Sequence, residues 1–188
     1  MDATDLCFTP ATDLAAMIRR RTLSPVELLD TVLGRIEALN PRLNAYLAVS
    51  VDGARAAAQA AETAVMRGET LAALHGLPVS IKDLEPSAGL RCTFGSKFFE
   101  HHVAEVDGMV TSRVKAAGGI ILGKTNTSHY GYKDMCDNLL GPPCRNPWNL
   151  ERTSGASSGG AGAAIAAGLG PLAHGPDGAG SLRIPPAL

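Results

Sequence analysis

Val26, Leu29, Leu33 and Ile36 recur at three- and four-residue spacing, a rhythm that predicts an amphipathic helix. Ser24-Pro25-Val26-Glu27 opens it as a capping box with proline at the first helical position. Asn40-Pro41 is expected to stop it. Upstream, Leu14, Met17 and Ile18 share one face of an earlier helix. Downstream, the apolar run AYLAV at 45–49 predicts a short strand, and an alanine-rich helix follows from about Val51 to Arg67, closed by Gly68. Residues 1–68 thus form a helical layer.

The texture changes at Leu71. β-prone runs at 77–81 (LPVSI), 118–122 (GGIIL) and 170–175 (GPLAHG) alternate with helical stretches at 109–117 and 159–168. Strands alternating with helices predict a largely parallel α/β sheet. With no internal repeat and no low-complexity linker, the expectation is one α/β domain over 1–188, its core at 71–188.

Composition narrows the class. Hydrophobic residues make up 45% and charged ones 19%, a globular balance, while 4% aromatics imply an aliphatic core. A net charge of −1, with no dense basic patch, argues against nucleic acid or anionic lipid as partner. The densest basic run, RRR at 19–21, reads as a solvated helix end. The first residues carry acids and no apolar signal region, and the apolar stretch at 161–173 is too short and glycine-rich to span a bilayer. Cys7, Cys92, Cys136 and Cys144 are widely spaced, which fits free thiols in a reducing cytoplasm.

Several motifs match patterns whose context is wrong. GGIILGKT at 118–125 satisfies the phosphate-loop spacing, but its interior is itself a strand and cannot wrap a phosphate. SRVK at 112–115 lies mid-helix. His75, His101, His102, His129 and His174 show no metal-ligand spacing. GASSG at 155–159 resembles a nucleophile elbow, yet the Asp and His it needs downstream come in the wrong order.

Three segments make better sense together: GLPVSIKD (76–83), RTSGASSGGAGAA (152–164) and GPDGAGSLRIPP (175–186). Lys82 ends an apolar strand and is either surface punctuation or a desolvated amine able to act as a base near neutral pH. Ser181 follows small residues, in an ordinary glycine-rich turn or in a nest of backbone N–H groups.

In that order, and with ILGKTN (121–126) and RNPWN (145–149), these segments resemble the amidase signature family of Ser–Ser–Lys serine hydrolases. The resemblance implies a three-layer α/β/α fold around a mixed, largely parallel sheet, incomplete at its C-terminal side. It implies Ser181 as acylated nucleophile, Ser157, held by a cis peptide bond, as proton relay, and Lys82 as terminal base that cannot reach Ser181 directly. Gly178, Ala179, Gly180 and Ser181 would supply oxyanion-binding N–H groups, and Ser158 would orient the cluster. No metal or cofactor is implied, and the substrate would be a small amide. Departures from the family pattern include Ala156 before the relay serine, Pro176-Asp177 before the nucleophile glycines, Ala179 for a frequent glycine, and Ser128-His129-Tyr130 after GKTN, a change that bears on the substrate pocket.

The leading expectation is a cytoplasmic amidase. One rival is a catalytically silent, truncated amidase, motivated by the end of the chain seven residues past Ser181; homo-oligomers or association with another chain fit either. The other is the glutaminase component of a tRNA-dependent amidotransferase.

Overall fold

The structure is a computed structural model and describes residues 2–188. The N-terminal layer begins with α1 (Ala3–Phe8), capped by the Asp2 carboxylate, which accepts the Asp5 N–H at 2.8 Å. In α2 (Ala11–Arg19) the core face is Leu14, Ala15 and Ile18. Arg19 is not merely solvated: its guanidinium donates to the carbonyls of Ala72 and Ala73 at 3.1 and 3.2 Å.

The long helix α3 (Pro25–Leu43) starts where Ser24 Oγ accepts the N–H groups of Val26 and Glu27 at 3.0 and 3.3 Å. The carboxylate Ser24 itself donates to, at 2.5 Å, is that of Glu62 rather than Glu27, so the cap also fastens the next helix. The expected stop at Asn40-Pro41 is displaced: the helix continues through Pro41 to Leu43 and ends on left-handed Asn44. In the last turn Pro41 forfeits only one N–H bond. Asn40 pins the exit instead, accepting the Tyr46 N–H at 2.8 Å and donating to its carbonyl at 3.1 Å. Leu28, Leu29 and Val32 are fully buried, each worth roughly 1.5–3 kcal/mol of apolar transfer. Against them packs α4 (Val51–Arg67), through Ala54, Ala58 and Val65.

Between α3 and α4 runs β1 (Tyr46–Val49), which joins the main sheet. That sheet adds β2 (Pro78–Lys82), β3 (Ile120–Thr125) and β6 (Leu172–Ala173), in the order β1-β3-β2-β6. β2 is parallel to both its neighbours and β1 is antiparallel to β3, so the sheet is mixed and largely parallel. Covered on both sides, β2 buries all five of its residues, which is why its sequence is largely apolar, with Ser80 as the exception, and ends in a buried lysine. The segment that imitates a phosphate loop is β3 itself. SRVK falls inside α5 (Met109–Ala116). A small hairpin unforeseen in the sequence, β4 (Arg145–Asn146) with β5 (Asn149–Thr153), leads into the serine pair.

The helix α6 (Gly159–Ala166) is built of Gly, Ala and one Ile, and its small residues allow close approach to the sheet. A Cβ on Gly160 would lie 2.5 Å from the Asn126 carbonyl oxygen and 2.6 Å from that of Ala45. No described helix is long and apolar enough to cross a membrane.

Candidate active site

The C-terminal end of β2 delivers Lys82 to the N-terminal end of α6, where Ser157 and Ser158 stand. The Lys82 ammonium donates to Ser157 Oγ at 2.7 Å, to Ser158 Oγ at 3.0 Å and to Ser181 Oγ at 3.0 Å. The hydroxyls also meet one another: Ser157 and Ser181 at 3.0 Å, Ser158 and Ser181 at 2.6 Å. Residues 75 to 99 positions apart along the chain therefore close one hydrogen-bonded cluster.

The peptide bond between Ala156 and Ser157 is cis. One relationship differs from the sequence reading and a second goes beyond it. Lys82 reaches Ser181 directly as well as through Ser157, because β2 runs to its last residue before turning and carries the amine into the centre of the cluster. Ser158 touches both Lys82 and Ser181, a contact its place in the pair did not specify.

Lys82 is fully buried, and that burial lowers its pKa to about 8 against an opposing pull from Cys136 and Asp177. The Cys136 thiol, hydrogen-bonded to Cys144 and itself buried, is held well above its ordinary value. Next along the chain, Asp83 is buried too. Its Oδ2 accepts the Thr93 N–H at 3.0 Å, while Oδ1 lies 3.8 Å from the ammonium of Lys124, a second buried lysine on β3. All four cysteines are free and buried.

The loop before Ser181 is shaped by Asp177. Its carboxylate accepts the Gly180 N–H at 2.6 Å and the Leu182 N–H at 3.1 Å, and takes a bidentate fork from Arg183 at 2.9 Å. That fork, with the two backbone donors, holds the Asp177 carboxyl well below the usual carboxylate range. Of the four N–H groups singled out in the sequence, Gly180's is thus committed to Asp177, whereas those of Gly178, Ala179 and Ser181 have no partner among the described residues. These three residues line a cavity of about 530 Å³ together with Lys82, Leu84, Tyr130, Tyr132, Ser157 and Ile184. Tyr130 falls in the segment that the sequence reading linked to the substrate pocket, whereas the anchoring role of Asp177 and the place of Tyr132 escaped it. The Pro176-Asp177 and Ser128-His129-Tyr130 departures were the only signals that could have led to them.

A buried amine of depressed pKa, three converging hydroxyls and open N–H groups meet at one cavity, an arrangement chemically able to pass protons beside a concentration of hydrogen-bond donors. The profile of the Amidase family matches residues 27–188. The chain belongs to that family. Among its relatives, the acylamidase of Rhodococcus erythropolis is 46% identical, over 100% of this chain and 39% of its own length. A component of the glutamyl-tRNA(Gln) amidotransferase of Anaeromyxobacter sp. (strain K) is 40% identical over 99% of this chain and 38% of its own. A bacterial aryl acylamidase of known structure, an amidase signature enzyme, superposes with a TM-score of 0.91 at 35% identity, over 96% of this chain and 38% of that one. This amidase-family chain spans about 39% of the length of the acylamidase it matches.

Proposed function

We propose that the chain carries the catalytic centre of an amidase that hydrolyses a carboxylic amide to the acid and ammonia or an amine. In this reading Ser181 Oγ attacks the carbonyl carbon and its proton passes through Ser157 Oγ to a neutral Lys82. A serine hydroxyl is a poor nucleophile until such a base is adjacent. The carbonyl oxygen, now negative, faces the open N–H groups of Gly178, Ala179 and Ser181. Collapse of the tetrahedral intermediate breaks the C–N bond, and the leaving nitrogen takes the proton back along the same route. Water then cleaves the acyl-Ser181 ester. Apart from that water, these steps draw only on groups of the protein.

The observation that carries the reading is the closed Lys82–Ser157–Ser181 cluster around a fully buried amine. The 46% identity to an acylamidase supports the same reaction class. A fluorophosphonate should label Ser181, and labelling and amide turnover should both vanish in Ser181→Ala. Undiminished labelling in that variant refutes the assignment.

A second reading is favoured by the 40% identity to the amidotransferase component. There the same cluster would release ammonia from glutamine, with partner proteins completing the site. Ammonia release from glutamine only when those partners are added would select it.

A further inference from the structure

β2 and β3 each carry a fully buried lysine, and the two have opposite surroundings. Among the described residues, the partners of the Lys82 ammonium are all hydroxyls. Lys124, which the proposed reaction leaves unused, has its ammonium 3.8 Å from Asp83 Oδ1 and 3.7 Å from Cys92 Sγ, and donates to the Glu85 carbonyl. Burial of an ion is costly unless it is paired and hydrogen-bonded, so a second buried lysine beside the first calls for a physical reason.

The strand register sets the division. Ile81 stands opposite Lys124, and Lys82 opposite Thr125. Side chains alternate across a strand, so Lys124 shares a face with Ile81 while Lys82 points to the other. Asp83 extends the ladder, donating its N–H to the Thr125 carbonyl at 3.0 Å. Its carboxylate turns from Lys82 toward Thr93 and Lys124. Oδ2 accepts the Thr93 N–H at 3.0 Å and the Thr93 hydroxyl, whereas Oδ1 has no hydrogen bond among the described residues and faces the Lys124 charge. The turn beyond is fastened twice. The Glu85 N–H returns to the Lys82 carbonyl at 3.0 Å, and the Glu85 carbonyl accepts from Lys124.

We infer that Lys124 is a positioning residue for Lys82: its ammonium neutralises the neighbouring Asp83 carboxylate and clips the turn beyond it, which leaves the amine in the site without a carboxylate counter-ion. A carboxylate acting on Lys82 would favour its charged form and take the base out of use. Lys82 is otherwise faced by Cys136 and by Asp177, whose carboxylate is already forked by Arg183. Asp83 is faced by Arg91 and Cys92 as well as Lys124. The Glu85 carboxylate is turned to the Val110 N–H at 2.8 Å. His174 faces Glu85 and both lysines, and burial holds it below its ordinary value, so it is neutral where Lys82 titrates. The inference rests on the reading of Lys82 as a base only for its consequence in turnover; the ionisation itself can be measured without a substrate.

The test titrates Lys82 by NMR of ε-¹³C-labelled lysine in the 188-residue chain, with Lys82→Met identifying its resonance. The parent should titrate at about 8. In Lys124→Met the Asp83 charge loses that partner and acts on Lys82. The midpoint should then rise by about one pH unit or more, the weight of a unit charge several ångströms away in a protein interior. Lys124→Met combined with Asp83→Asn removes both charges and should return the midpoint to within about half a pH unit of the parent's. Should Lys124→Met not fold, Lys124→Gln, which can still donate to the Glu85 carbonyl but carries no charge, takes its place. An unmoved midpoint in the singly substituted chain, the result of a role in packing alone, overturns the inference. So does a raised midpoint that Asp83→Asn fails to reverse. Fluorophosphonate labelling of the parent separates the two claims. A shifted midpoint in a protein whose Ser181 does not label keeps the role of Lys124 and discards the amidase, and labelling with an unmoved midpoint does the reverse.

Discussion

Asp177 accepts the backbone N–H of Gly180 at 2.6 Å, turning that donor away from Ser181 and leaving its neighbours open. The carboxylate thereby fixes the loop that presents the nucleophile. In Asp177→Ala the loop loses both backbone anchors and the Arg183 fork. Ser181 labelling should slow about 10- to 100-fold, the scale of a misplaced reacting group. Asp177→Asn retains the acceptor oxygen and should fall between. Rates of fluorophosphonate labelling followed by intact-mass spectrometry check both, and an unchanged Asp177→Ala rate contradicts the anchoring role.

Ser157 and Ser158 both touch Lys82 and Ser181, so the two hydroxyls can be ranked by deletion. Ser157→Ala should lower the labelling rate by about 10²- to 10⁴-fold, the usual weight of a proton-transfer group. With the proton routed through Ser157, Ser158→Ala should cost less, because it leaves the Lys82–Ser157–Ser181 path intact. A larger loss in Ser158→Ala assigns the relay to the second serine.

Gly160 tests the packing that positions the pair. A methyl group there meets the backbone of both Asn126 and Ala45, which cannot yield as a side chain end would. Gly160→Ala should destabilise the fold by about 1–3 kcal/mol, seen as a thermal midpoint about 2–10 °C lower by calorimetry. A midpoint within about 1 °C of the parent's, the shift of a neutral surface change, contradicts the close approach.

Much of this was legible in the chain, for identifiable reasons. The strand that carries Lys82 was legible because a largely apolar run of this length fits a strand covered on both sides, but the run alone left open whether the lysine at its end is buried or at the surface. The small residues of α6 fit the close backbone contact seen at Gly160. Helix ends were less legible. Pro41 looked terminal, yet a proline in a last turn gives up so little that Asn44 sets the boundary. The contacts of Ser158 and the role of Asp177 depend on how a loop near residue 180 folds back across the sheet, and no local spacing encodes that closure. The contact between Phe94 and Tyr130 was hidden for the same reason, since the two meet only through the tertiary fold.

The central claim is that a buried Lys82, in its uncharged form, receives the Ser181 proton. Its most direct test is the rate of Ser181 labelling as a function of pH, in the parent chain and in Lys82→Met. A lowered pKa leaves more neutral amine as pH rises, so the parent rate should climb about tenfold per pH unit and level off near pH 8. Lys82→Met should be slower by about 10²- to 10⁴-fold and show no inflection there. An identical pH profile in the two proteins, or a parent rate still climbing toward the ordinary lysine value of 10.5, contradicts the account.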